Sequence, residues 1–224
     1  EEDGVKVTAI IERDGAIIND DGLDIEAVHL HRTENGGVKG FPGSKYVEDG
    51  HSVLEKECDI LLPAALESQI TLENADRIKT KLIAEAANGP VTFGADQILR
   101  EKGVVIIPDA YLNAGGVTVS YFEWIKNLSH IRFGRMERRY EEAQSRGLVA
   151  AIEEATGKPL NDLTKEKLIA GPDEIDLVRS GLDDTMRGAY NRIRDIYLER
   201  DKVVDLRTAA FVLAIEHIAD CYQS

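Results

Sequence analysis

The chain has 224 residues, 43% of them hydrophobic, and its 41 Asp and Glu against 27 Lys and Arg give a formal net charge of −14 at neutral pH. That is enough apolar material for a domain with a core and a helical appendage, and the acidic balance excludes a role that depends on neutralising a nucleic-acid backbone. No apolar stretch reaches the length that spans a bilayer. Two cysteines, Cys58 and Cys221, are too few for a disulfide framework and lack metal-ligand spacing, so a reducing compartment and no metal site are expected.

The chain opens on Glu1, Glu2 and Asp3 with no Met and no basic leader, and enters a strand-like run at once, so a preceding part is expected to be missing. Val5 to Ile11 is β-branched and apolar, ends in Glu12 and meets a turn at Asp14-Gly15. A second turn follows at Asn19 to Gly22, then a short helix over Ile25 to His31 that stops at Asn35-Gly36. Three more runs have the length of buried strands: Cys58 to Leu62 closed by Pro63, Leu82 to Ala84 leading into Asn88-Gly89-Pro90, and Val104 to Ile107 closed by Pro108. Helices are expected after Thr71, over LENADRIK, and after Thr92, over FGADQILREK with Gly103 as terminator. Strands alternating with helices predict an α/β fold built on a mostly parallel, doubly wound sheet covered on both faces.

Beyond Pro108 the pattern turns helical. Gly115-Gly116 opens an apolar helix through Trp124, Arg135 to Thr156 is a charged helix, Pro159 to Pro172 reads as a connection, and helices over Asp173 to Arg200 and Asp205 to Tyr222 finish the chain. The short basic run Arg132 to Arg139 is followed by Glu141 and Glu142 and reads as a solvated helix start rather than a polyanion site.

Glu12 ends a strand of such a sheet, where these folds bind ligands; an acid there can accept hydrogen bonds from both hydroxyls of an adenosine ribose and repels a 2′-phosphate. An acid filling a strand-to-turn corner is the other reading, because the Gly-rich turn that accompanies a ribose-binding acid is not in this chain. Three loops follow strand ends: Pro63-Ala64-Ala65, Ala86 to Pro90, and Leu112 to Gly116. Their small residues let backbone approach a flat ring or a phosphate, and Asn88 and Asn113 add amides that both donate and accept. Each loop alone is equally ordinary turn chemistry, whereas three on one sheet edge point to a dinucleotide crevice. Ser120 lies on the helix that begins near Gly115. There is no nucleophile elbow, no HExxH and no paired His and Cys, and His29, His31, His51, His130 and His217 stand in helical or polar context.

CDILLPAALESQIT, IAEAANGPVT, IIPDAYLNAGGVTVSYFEWIKN and DLRTAAFVLAIEHIA closely resemble the glutamate dehydrogenase members of the Glu/Leu/Phe/Val dehydrogenase family, in the same order along nearly the whole chain. The resemblance implies a Rossmann-like cofactor-binding domain over 1–133, incomplete at its N-terminus and lacking its first βα unit. A helical insertion like a shortened antenna would follow over 134–172, and C-terminal helices over 173–224. It implies that Glu12 binds the adenosine ribose, that Ala64, Ala65, Asn88 and Asn113 line the dinucleotide and nicotinamide site, and that Ser120 contacts the substrate's side-chain carboxylate. The reaction implied is reversible oxidative deamination of L-glutamate to 2-oxoglutarate and ammonia with NAD, NADP being possible through Arg13, in a hexamer of the full-length enzyme. The family's catalytic Lys and Asp belong to a substrate domain without counterpart here, so these residues alone are expected to be inactive and monomeric or weakly associated. Where animal relatives carry a His of their GTP site this chain has Arg179, and purine-nucleotide control does not carry over. A leucine, phenylalanine or valine dehydrogenase and a non-catalytic nucleotide-binding module are the alternatives; the cytoplasm is the expected compartment, with the mitochondrial matrix as the other.

Overall fold

A computed structural model describes residues 4–129, 135–170 and 174–223. His130, the start of the basic run at Arg132 and the boundaries drawn at 133/134 and 172/173 fall outside them. The chain divides into two compact units, Glu1–Ile107 and Pro108–Ser224.

The first unit carries two three-stranded sheets. Strand β1 (Ala9–Glu12) folds back on β2 (Gly15–Ile18) through a tight turn, pairing Glu12 with Gly15 and Ile11 with Ala16. Gly15 is required there: its φ is +138° and a Cβ would run into the Tyr46 side chain. Strand β3 (Lys45–Val47) adds antiparallel to β2. Helix α1 (Ile25–Asn35) starts where the Asp24 carboxylate accepts the Ala27 N–H at 3.0 Å and ends at Gly36 in the left-handed region. Ile17, Leu23, Val28 and Val38 form the core between this helix and the sheet.

The parallel sheet is β4 (Ile60–Leu61), β5 (Leu82–Ala84) and β6 (Val105–Ile107), in that order. Helix α2 (Phe93–Glu101) covers it, with Ala95 and Leu99 fully buried against Ile70, Ile78 and Ile83. Hydrophobic burial of this kind, on the order of 1.5–3 kcal/mol for each large aliphatic side chain, is what holds strands of two or three residues in a sheet.

The sequence expectations need four corrections in this unit. The first strand begins at Ala9, not Val5; its partners β2 and β3 were not anticipated, nor was the 3-10 turn at Gly50–Glu55. LENADRIK does not form an α-helix but a single 3-10 turn at Ala75–Arg77. The reason is Asn74, which is buried; its side chain accepts the Thr71 N–H at 2.8 Å and donates to the Gln69 carbonyl at 2.9 Å, competing with a helical ladder.

The second unit is helical: α3 (Asp109–Leu112), α4 (Ala114–Ser129), α5 (Arg135–Thr156), α6 (Asp162–Ala170), α7 (Glu174–Glu199) and α8 (Leu206–Gln223). Helix α6 corrects the connection expected over Pro159 to Pro172. Asn161 starts it by accepting the Thr164 N–H at 2.8 Å, and Lys165 pairs with Glu153 of α5 at 2.8 Å. Helices α7 and α8 pack through Ile193, Ile196, Ala209 and Ala210, joined by Arg200 to Glu216 at 2.7 Å. Among the described residues no helix is long and apolar enough to cross a membrane.

Candidate functional site

The carboxyl ends of β4 and β5 meet at one edge of the parallel sheet. The Ala86 N–H donates to the Pro63 carbonyl at 3.0 Å, and the Glu85 N–H to the Ile107 carbonyl of β6 at 3.1 Å. Further along, the loops interlock: the Ser68 N–H donates to Gly89 (2.8 Å), and those of Gln69 and Ile70 to Pro90 (2.8 and 2.9 Å). Ser68 holds a φ of +53°, uncommon for a residue with a Cβ, and Gly89 one of +52°. The structure therefore brings Ala64, Ala65 and Asn88 to one edge, all three exposed, on backbone fixed by hydrogen bonds rather than by large side chains.

Glu12 belongs to the other sheet and to a cleft of its own, about 330 Å³, lined by Glu12, Arg13, Asp14, Arg32, Gly36 and Gly37. Its carboxylate pairs with the Arg32 guanidinium at 3.0 Å. With 33% of the Glu12 side chain and 52% of Arg32 accessible, the pair is open to a ligand that competes for either partner. Asp14 builds the wall: one carboxylate oxygen accepts the N–H groups of Val38 and Lys39 at 3.0 and 3.1 Å, and the Tyr46 hydroxyl donates to the Asp14 carbonyl. Arg32 and Asp14 were not singled out from the sequence. The signal for Arg32 was a base in the last turn of α1, ordinarily read as a partner of the helix dipole.

In the second unit, Asn113 ends α3, half-buried, its N–H donating to the Asp109 carbonyl at 3.2 Å. Ser120 lies about two turns into α4 and is exposed. Next to it, Tyr121 and Trp124 stack with ring centroids 5.8 Å apart. Asp109 is tied to Arg207 of α8 at 3.1 Å, and burial raises the Tyr111 phenol above its usual range while its hydroxyl donates to the Met186 carbonyl at 3.0 Å.

The larger cleft of the first unit, about 620 Å³, lies at the opposite, amino-terminal edge of the parallel sheet, among Glu57, Cys58, Asp59, Lys79, Lys81, Lys102 and Val104. Three of its charged groups, Asp59, Lys81 and Lys102, are already engaged. Lys81 hydrogen-bonds Asp59 at 2.7 Å, holding that carboxyl below the usual range, and Lys102 donates to the carbonyls of Ala75, Asp76 and Ile78 at 3.2, 2.6 and 2.8 Å. Size does not make it the site: open α/β sheets bind ligands at the carboxyl ends of their strands. Among the described residues no group of three or more His, Cys, Asp or Glu is placed to hold a metal ion.

A family model described as Glutamate/Leucine/Phenylalanine/Valine dehydrogenase matches residues 1–177. A probable glutamate dehydrogenase of Sinorhizobium fredii is 49% identical over 98% of this chain and 50% of its own length. The mitochondrial glutamate dehydrogenase of Dictyostelium discoideum is 49% identical over 100% of this chain and 44% of its own. The crystal structure of the Peptoniphilus asaccharolyticus glutamate dehydrogenase superposes with a TM-score of 0.63 at 27% identity, over 99% of this chain and 41% of that one. A hetero-hexameric glutamate dehydrogenase of Thermus thermophilus, at 20% identity, shares the fold with a TM-score of 0.72. The fold is thus α/β and Rossmann-like, and the chain belongs to the Glutamate/Leucine/Phenylalanine/Valine dehydrogenase family. It spans about half the length of the curated relatives it matches.

Proposed function

We propose that these residues are the cofactor-binding part, 1–133, the antenna-like insertion, 134–172, and the C-terminal helices, 173–224, of an NAD(P)-dependent glutamate dehydrogenase. The observation that carries the reading is the 49% identity to two glutamate dehydrogenases along essentially the whole chain. The geometry supports it through a sheet edge of small, exposed residues and a separate cleft with a carboxylate suited to a ribose.

The residues fit a nicotinamide dinucleotide. Glu12 would accept hydrogen bonds from the adenosine ribose hydroxyls, Ala64 and Ala65 leave room for the dinucleotide, and the Asn88 amide would meet the carboxamide of the ring. Asn113 is assigned to the nicotinamide site by the family resemblance alone. Ser120 would donate to the side-chain carboxylate of L-glutamate. The dinucleotide supplies a hydride acceptor; the iminium left on the substrate is hydrolysed to 2-oxoglutarate and ammonia. NAD is the expected cofactor because Glu12 repels a 2′-phosphate. Arg13 and Arg32 in the same cleft would counter that charge and admit NADP as well.

The group that activates water is expected from a substrate domain like that of the longer relatives, so residues 1–224 alone should not turn over, and the hexamer belongs to the full-length enzyme. The test is glutamate-dependent reduction of NAD and NADP by the complete natural chain and by residues 1–224 separately. Turnover of glutamate by the first and none by the second is expected. Preference for leucine, phenylalanine or valine would overturn the substrate assignment, and turnover of no amino acid would overturn the enzyme reading.

A further inference from the structure

A buried carboxylate lies at the ligand edge without a role in the reading above. Glu85 has no accessible surface, alone among the acidic residues of the described chain. It follows β5 directly, between Ala84 and Ala86, and its own N–H and that of Ala86 are the bonds that join β5 to the ends of β6 and β4. Its side chain has partners: among the described residues no buried side-chain nitrogen or oxygen lacks one.

Taking a carboxylate out of water costs several kcal/mol before its hydrogen bonds offset the loss, and an apolar side chain of similar volume is often the more stable choice at such a place. The core beneath does not call for charge: Ile83, Ile70 and Val91 are hydrocarbon, and the sheet is already closed by backbone bonds. The position leads directly into the loop from Ala86 to Pro90. Ala87 is buried, Gly89 turns at φ +52°, and Asn88 is presented at the tip.

We propose that Glu85 is a positioning residue for the nicotinamide end of the dinucleotide: its buried carboxylate fixes the Ala86 to Pro90 loop so that the Asn88 amide meets the ring carboxamide. This rests on the assignment of the edge to a nicotinamide dinucleotide. The adenosine end is held elsewhere, in the Glu12 cleft, and is indifferent to Glu85.

The separation of the two ends makes the test. In the complete natural enzyme, Glu85→Gln keeps the volume and removes the charge. NAD binding should weaken about ten-fold, roughly one hydrogen bond, while binding of adenosine diphosphate ribose, which lacks the nicotinamide, should stay within about two-fold. Asn88→Ala should show the same selective loss, and adding it to Glu85→Gln should cost little more, because both act through one contact. If Glu85→Gln does not fold, Glu85→Asp, which keeps the charge and shortens its reach, should weaken NAD selectively. Equal weakening of both ligands, or of neither, would overturn the proposal and leave Glu85 a residue of the fold. A wild-type enzyme that binds neither ligand would instead overturn the cofactor assignment, and this proposal with it.

Discussion

The two edges of the parallel sheet are built from different materials. At the amino-terminal edge long charged side chains close the structure: Lys81 on Asp59, and Lys102 across three carbonyls. At the carboxyl edge backbone closes on backbone, and Ala64, Ala65 and Asn88 stand among the exposed side chains, beside Leu66, Glu67 and Ser68. A protein that needs only stability can use long side chains at both ends. Leaving one edge clear keeps it open to a planar ligand, and the stabilising interactions then have to come from main-chain bonds and from the opposite edge.

The comparison breaks most sharply at Ala65. Ala65→Glu places a long anion on the open edge and should raise the KM for the dinucleotide about a hundred-fold in the complete enzyme, through blockage and repulsion of the pyrophosphate, with the thermal midpoint unmoved. A fall in melting temperature with KM unchanged would mean that the edge is structural.

Lys102→Met is the reverse experiment. Losing the bonds to Ala75, Asp76 and Ile78 should cost about 1–2 kcal/mol in urea denaturation and leave dinucleotide binding within error. Weaker binding in this variant would mean that the two edges are coupled.

Arg32→Ala sharpens the assignment of the Glu12 cleft. Freeing Glu12 from its partner should raise the KM for NADP relative to NAD about ten-fold, measured as the ratio of kcat/KM values. An unchanged ratio would remove Arg32 from cofactor choice.

The smallest effect concerns pH. The Arg77 guanidinium hydrogen-bonded to Glu55, and Lys165 with the Leu160 N–H on Glu153, hold both carboxyls below the usual carboxylate range. A depressed carboxyl contributes stability that is fully present above its unfolded value and lost as pH falls through the folded one. Melting temperature should therefore decline on acidification through and below the ordinary carboxylate range, and Glu55→Gln should flatten part of that decline. Because these groups are exposed, the change is small, and an identical pH profile in the variant would assign the decline to other groups.

Much of the first unit was legible because its strands are punctuated. Pro63 and Pro108 close β4 and β6, and Asn35-Gly36 ends α1; in the second unit the bounds expected for α5 are those observed. Strands β2 and β3 were not legible: Gly15 to Ile18 is sandwiched between two turns, and Lys45 to Val47 is too short to display a period. The turn at Ala75–Arg77 defeated a helical pattern because Asn74 competes through its side chain, and α6 was hidden between two prolines that lie just outside it.

The site follows the same division. Small residues after strand ends are a local pattern, so Ala64, Ala65 and Asn88 could be named from the sequence. The Glu12–Arg32 pair joins positions with no characteristic spacing, and no residue pattern around Glu85 marks it as fully buried. Local reading sees neither.

Trp124 is the only tryptophan in the chain, and 55% of it is exposed on α4, stacked beside Tyr121. Tryptophan emission from this polypeptide therefore originates at a single point on one helix. A blue shift when a ligand or another protein segment is added would report that this face has been covered, without any label having to be attached.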